Sequence, residues 1–495
     1  MSLPAGLVVP FKGAKQADTL KFAEREFLRC SKSPVYFIQH YCAVYDATSK
    51  GWLKFILWPA QVAVIKCLQD NQLVAVLKAR QLGLTWLLIA YALWLMIFRS
   101  SATVLLFSRR DDESMHLLQE RLIKMYDRLP VFLQCKSITV KSAHKFQLSN
   151  GSVAMAFPTT GGDSYTATLV VVDEADLIKN FKQLMASVKP TIDAGGQMVL
   201  ITRSDKAKPA SAFKKLYRAA LRGVNSWFPV FLPWHARPGR DVAWYDKVTT
   251  DSLQTYGSLD YVHEQYPQYA AEALAPASEG KRFKTAFIRK AYKPKNHVRI
   301  IPHKFASRPG FDWWAARIPG KQYVLGADPA EGNPTSDDSA ITVIRADTGE
   351  EVCAFADKLE PGAFAALIDE LGAYFNNAHI MVERNNHGHA VLLWFKMNGS
   401  VYPQCGHDGK FGWLSSSMGK GILYSLCADQ IASGEAIIHT EETYLQMCSI
   451  EGDTLRAPEG EHDDRSDSFA LACAGRQVMV GGWESLVESS SGVTV

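Results

Sequence analysis

Two groups of residues in the 495-residue chain have the types and spacing for phosphoryl chemistry. Lys78-Ala-Arg-Gln-Leu-Gly-Leu-Thr85 follows the strand-like run Leu73–Leu77 and precedes the apolar stretch Trp86–Phe98. Set against the phosphate-loop pattern GxxxxGK(S/T), Gly83 fills the last glycine position and Thr85 the hydroxyl that would hold Mg2+. A helix beginning there turns backbone N–H groups and a positive dipole end toward phosphate oxygens. Leu84 stands where the pattern has lysine, so the cation that a triphosphate needs must come from Lys78 or Arg80, with Gln81 beside them in the loop. Further along, Leu169-Val-Val-Val-Asp-Glu-Ala-Asp176 is an apolar strand ending in acids. There Asp173 can hold Mg2+ through water and Glu174 can polarise an attacking water. Gln61, in Leu57-Trp-Pro-Ala-Gln61, has the donor and acceptor to read an adenine edge, and Thr202, ending the next apolar strand, is placed to sense a γ-phosphate.

The second group is wholly acidic. Asp328 ends one predicted strand, Glu383 ends another, and Asp463, Asp464 and Asp467 open the last predicted helix. Carboxylates far apart in sequence but all at element ends can converge on two Mg2+ or Mn2+ ions ~4 Å apart, clamping both oxygens of a phosphodiester displacement. A plainer reading makes the three late aspartates an N-cap and favourable first-turn charge for the helix Ser466–Gln477. It accounts for one or two of them, not for Asp328 and Glu383. Asp337 and Asp338 read equally well as a turn or as outer-shell ligands. Oxygen-only ligands and nine cysteines without a CxxC pair leave no reason to expect zinc or disulfides.

The elements that must position these residues fall into two patterns. From about residue 50 to 205, uniformly apolar runs (Leu73–Leu77, Thr103–Phe107, Leu169–Val172, Met198–Thr202) alternate with longer amphipathic segments, as in a parallel sheet covered on both faces. Later, Tyr323–Ala327, Ala340–Arg345 and Glu351–Asp357 read as strands, Pro361–Asn376 as a helix and His379–Glu383 as a returning strand. That β-β-β-α-β order with a final helix is the order of an RNase H-like fold. The fold class is therefore α/β: a P-loop ATPase domain followed by an RNase H-like nuclease domain. Expected boundaries are an ATPase domain over 1–280 (lead-in 1–50, core 50–205, lid or linker subdomain 205–280), a basic linker over 281–305, a nuclease domain over 306–482 and a flexible tail over 483–495.

Composition narrows the class. With 47% hydrophobic and 21% charged residues the chain is neither disordered nor a membrane bundle, and Trp86–Phe98 falls well short of the ~20 residues that cross a bilayer. The start, MSLPAGLVVPFKGAKQ, lacks the order of a secretory signal, so a cytoplasmic protein is expected. The net charge of +4 is small but uneven: Lys281 to Lys304 holds nine Lys or Arg and no acid, and Lys206 to Arg222 holds six. Each strip reads equally as a phosphate-backbone contact or as a solvated linker and surface helix.

Taken together, the order of Gln61, the RQLGLT loop, VVVDEAD, the Thr202 strand, GADPAEG, VERNNHGHAV and EHDDRSDSFALA resembles the large terminase subunit of tailed bacteriophages, over residues 35 to 480. The resemblance implies an ASCE-type ATPase that translocates double-stranded DNA and a nuclease that cuts concatemers. It assigns Lys78, Arg80, Gly83 and Thr85 to a deviant phosphate loop, Asp173 and Glu174 to the Walker B pair and Thr202 to coupling. Asp328, Glu383 and Asp464, or adjacent Asp463, would be metal ligands. ATP with Mg2+, and Mg2+ or Mn2+ at the nuclease, are the implied cofactors. The implied partners are DNA, a portal protein, a small terminase subunit and further copies in a ring on the portal, in the cytoplasm of an infected bacterium. Arg203 stands where relatives often have proline. Competing readings are a helicase-nuclease, which should show a second ATPase core, an RNase H-like transposase or integrase, and a portal-docking scaffold that does not hydrolyse ATP.

Overall fold

The computed structural model describes residues 16–158, 165–298, 301–306, 308–334 and 336–481. The chain divides into one unit of 1–206 with 211–275 and a second of 276–495 with the short stretch 207–210. The tail expected to be flexible lies outside the described residues, as does Arg299 of the basic strip.

In the first unit the apolar runs form the centre of an eight-stranded sheet. Its order is Phe228–Leu232, Leu73–Lys78, Gln197–Thr202, Leu169–Asp173, Thr103–Phe107, Val153–Phe157, Lys145–Leu148 and Ile138–Lys141. The first six are parallel and the last two antiparallel. Alternate residues of one strand feed opposite cores: Val74 and Val76 pack on one face, Leu73, Ala75 and Leu77 on the other. The helix Leu84–Phe98 covers the first face, and every residue from Leu87 to Ile97 is buried. Because the strands run parallel, Lys78, Asp173 and Thr202 all emerge at one sheet edge, where ligands of such sheets bind.

The second unit holds a five-stranded sheet ordered Phe311–Trp313, Glu351–Asp357, Ser339–Arg345, Tyr323–Asp328, His379–Val382. All neighbours are antiparallel except the last pair, which runs parallel. Helices Pro361–Tyr374 and Gly388–Asn398 cover one face and Asp464–Gly481 with Ser417–Ser433 the other. Gly326 permits the closest approach: a Cβ there would lie 2.1 Å from Ser468 O and 2.3 Å from Ala472 N. This contact sets the last helix directly over the strand that carries Asp328.

Both basic strips are partly built into the fold. The stretch read as a linker is folded into the second unit, where helix Thr285–Ala291 buries Ile288, Phe283 is buried beside Tyr424, and the backbone at Lys281 forms an isolated antiparallel β-bridge with that at Glu451. In the other strip Lys206 and Lys214 are buried. Lys214 Nζ lies 3.0 Å from Asp176 Oδ2 and Lys206 Nζ 3.7 Å from Asp260 Oδ1, so their charges are spent inside the unit rather than on a surface. Six of the nine cysteines, Cys30, Cys42, Cys353, Cys427, Cys448 and Cys473, are buried. No helix among the described residues is long and apolar enough to cross a membrane.

Candidate functional sites

The phosphate loop leaves the buried strand Leu73–Lys78 through a tight turn in which Gln81 (φ +64°) and Gly83 (φ +67°) are left-handed. Gly83 is required twice over, because a Cβ would also stand 2.8 Å from Gln61 Nε2. Helix Leu84–Phe98 starts there, and its first-turn N–H groups have no intrahelical acceptors by position. Thr85 Oγ1 donates to Asp173 Oδ2 at 3.2 Å, so the loop and the acidic strand end share one crevice. Glu174 follows in a left-handed conformation (φ +54°), a strained state for a residue with a Cβ, and its Oε2 is buried without a partner among the described residues. Burial, then the Glu174 charge, push the Asp173 carboxyl up to about 6 against the pull of Lys78 and Arg121. These groups border a cavity of about 470 Å3 lined by Arg80, Thr85, Arg121, Asp173, Glu174 and Arg203 among others.

Two of the expected contacts fall differently. Gln61 is buried, with Oε1 accepting from Trp58 N at 3.0 Å and Nε2 donating to Leu82 O at 3.0 Å. Oε1 thus caps the start of the helix Pro59–Asp70, and Nε2 fastens the phosphate loop. Thr202 is also fully buried: its hydroxyl accepts from Asp176 N at 3.1 Å and donates to Arg203 O at 2.6 Å. It therefore braces the turn that carries Glu174 rather than facing a γ-phosphate. Lys78 is buried at the strand end beside Asp173, whereas Arg80 lines the cavity and donates to Gln265 Oε1 at 3.3 Å. The Gln81 side chain accepts from Arg240 at 3.0 Å.

Several neighbours were not foreseen. Arg237 donates to Gln81 O at 3.1 Å and Arg240 to Arg80 O at 3.0 Å. Arg203 is paired to Glu264 at 2.6 Å. Glu264 also accepts from Gln265, whose own carbonyl receives Arg80 N at 2.7 Å. Arg121 reaches the same cavity from a helix remote in sequence.

In the second unit the strand register does the positioning. Ala327 pairs with Val382 in the parallel ladder, and Glu383 N donates to Ala327 O at 2.9 Å, so Asp328 and Glu383 are neighbours across two adjacent strand ends. Asp464 and Asp467 are buried on the helix that Gly326 admits. The Asp328 carboxyl is raised well above its ordinary value by burial, then by the charge of Glu383 and a hydrogen bond with it, with Asp467 and Asp464 adding to the effect. Burial and the neighbouring Asp337 and Asp463 push Asp464 up to about 8. Asp467 is pushed to about 7 by burial, with Lys420 opposing. So many carboxylates cannot all ionise in one dry site without cations to offset them.

The helix-cap reading of these aspartates loses ground to Gln446, whose Oε1 accepts from Arg465 N at 2.8 Å and Ser466 N at 3.2 Å. Lys420, which carries no motif, lies 3.1 Å from Asp463 Oδ2 and 2.8 Å from Asp467 Oδ2, and Tyr424 donates to Asp467 as well. Asp464 instead accepts from Asp338 N at 3.3 Å. Ligand atoms of Asp464, Asp337 and His462 lie within 4.8 Å of one another, while Asp338 is paired with Lys358 at 2.7 Å.

In class, the two units are an ASCE-type P-loop ATPase fold, with the Gln197–Thr202 strand between the phosphate-loop strand and the Asp173 strand, and an RNase H-like fold. Over nearly its whole length the chain has the fold of a phage large terminase. The HK97 bacteriophage large terminase superposes with a TM-score of 0.50 over 90% of this chain and 99% of its own, at 11% identity. A large terminase from a thermophilic bacteriophage gives 0.37 (84% and 97% covered, 10% identity), and the magnesium-bound large terminase nuclease of thermophilic phage G20c gives 0.32 (40% and 98%, 20% identity). No protein-family profile and no curated protein sequence matches the chain.

Proposed function

We propose that the chain is the large subunit of a viral DNA-packaging motor. ATP hydrolysis in the first unit would drive double-stranded DNA into a procapsid, and a metal-dependent endonuclease in the second would cut concatemeric DNA. What chiefly supports this reading is the pairing, in one chain, of a phosphate-loop crevice joined by Thr85 and Asp173 with carboxylates that converge from three separate stretches around 328, 383 and 464.

In the first site Thr85 and Asp173 would hold Mg2+, which would supply positive charge to the phosphate oxygens. Glu174, with one carboxylate oxygen unengaged, would accept a proton from water as the water oxygen bonds to the γ phosphorus and the bond to the ADP oxygen breaks. In the second, the donor set suits hard cations: Asp328, Glu383 and Asp464, or adjacent Asp463, would hold Mg2+ or Mn2+. Cations bound there would neutralise charge on the attacked phosphodiester. Lys420 and Tyr424 keep Asp467 oriented toward the same cluster. The motor reading brings with it a ring of copies on a portal protein, a small terminase subunit as partner, and work in the cytoplasm of an infected bacterium, transiently at the portal vertex.

One preparation tests both halves. Glu174→Gln should abolish ATP turnover while nucleotide still binds, and Asp328→Ala should abolish Mn2+-dependent plasmid cleavage while ATPase activity persists. Full turnover by the first variant or unaltered cleavage by the second would remove that residue from its role.

A further inference from the structure

Leu84 stands where the phosphate-loop pattern has lysine, Lys78 is buried at the strand end, and the cavity brings in a further cation from outside the loop. After Asp111–His116 the chain widens into a π-helical stretch, Leu117–Ile123, before resuming an α-helical turn at Lys124–Tyr126. Such stretches are rare and concentrate at functional sites. Here Leu117, Leu118, Leu122 and Ile123 are buried in the core while Arg121 is turned to the cavity. Its guanidinium lies 5.3 Å from the ring centre of Trp86, the residue after Thr85.

Of the four arginines lining that cavity, three are engaged: Arg109 with Glu113, Arg203 with Glu264 and Arg80 with Gln265. Arg121 Nε is buried and has no hydrogen-bond partner among the described residues. Glu174 Oε2, in the lining of the same cavity, is also buried without a partner among the described residues. Leaving a donor of a buried cation unmade is costly, so a site that keeps both groups open is shaped for something that completes them. A water on Glu174 and an anionic oxygen on Arg121 would do so, and a planar guanidinium suits phosphate better than an ammonium does.

We infer that Arg121 contacts the terminal phosphate of a bound nucleoside triphosphate, supplying positive charge from within the chain but from outside the phosphate loop. The inference rests on the reading of this cavity as an ATP site. As water attacks the γ phosphorus, giving its proton to Glu174, and the electron pair of the breaking bond passes to the ADP oxygen, Arg121 offsets the negative charge on the γ oxygens. It therefore discriminates triphosphate from diphosphate.

The test uses the full chain with Arg121→Gln and Arg121→Lys, measuring ATP turnover and binding of ATP, ADP and ADP with beryllium fluoride. Arg121→Gln should lower kcat by on the order of 100-fold or more. It should leave ADP binding within about threefold and erase the preference for beryllium-fluoride-loaded ADP over ADP alone. Arg121→Lys, which keeps the charge, should recover part of both and carries the test if glutamine at this buried position unfolds the unit. Turnover by Arg121→Gln near the wild-type rate, or equal losses for ATP and ADP, would overturn the assignment while leaving the ATP reading intact. Wild-type protein that neither binds nor hydrolyses ATP would overturn both.

Discussion

An alanine at position 326 has to find room where the backbone leaves none. Its Cβ would sit 2.1 Å from Ser468 O and 2.3 Å from Ala472 N, both on the helix Asp464–Gly481 rather than on side chains that could swing aside. Comfortable contacts settle near ~3.5 Å, so strand and helix must part by roughly 1 Å. Overpacking of this kind costs about 1–3 kcal/mol, which lowers the melting midpoint of a ~200-residue domain by several degrees. The catalytic effect should be larger than the thermal one. Asp328 lies two residues beyond Gly326, and Asp464 and Asp467 ride on the displaced helix, so the carboxylate spacing opens by the same amount. Misplacement of reacting groups by ~1 Å costs on the order of 100-fold in rate. Plasmid cleavage in Mn2+, thermal unfolding and ATP turnover on one sample would show cleavage collapsing, a modest drop in midpoint and normal ATPase activity. A Gly326→Ala protein that melts and cuts like the parent would refute the idea that this contact sets the acid geometry.

The remaining predictions concern two lysines. Burial holds the Lys206 ammonium down to about 8, from 10.5, although Asp260 favours its charge. Between those pH values the unfolded chain binds more protons than the folded one, so folded-state stability rises with pH across the window and the contribution is lost as pH falls through about 8. Relative to Lys206→Met the gain should approach about 3 kcal/mol, and a melting difference that stays flat from pH 8 to 10.5 would contradict it. Lys420→Met strips the cation from Asp467, which is 12% exposed, and should cost about 3–5 kcal/mol in EDTA, with Mg2+ restoring part of the loss. An unchanged midpoint in EDTA would show that the pairing is dispensable.

Much of the architecture was readable because apolar runs ended in chemistry. Leu169–Asp173 and Tyr323–Asp328 are buried strands that stop at an acid, and hydrophobic patterning alone locates both ends. The partners of those acids were not readable. Lys420 and Gln446 act from helices that only tertiary packing brings to Asp467 and to the start of the last helix. Arg121 sits in LLQERLI, which reads as an ordinary amphipathic turn, and nothing in that pattern announces a π-helical register. The hold of Gln61 on the Leu82 carbonyl, 21 residues ahead, was not readable, because a backbone acceptor leaves no trace in residue type. The Lys206–Arg222 strip misled for a related reason: a count of charges does not say that Lys214 turns inward to Asp176.

The six-residue helix Asp260–Gln265 hangs from two places at once, since Gln265 holds Arg80 of the phosphate loop and Glu264 holds Arg203 just past Thr202. A short rod tethered at adjacent points cannot follow one attachment without tugging on the other. Any shift of the loop is thereby relayed, like the arm of a balance, to the edge of the sheet and to the chain that continues from it.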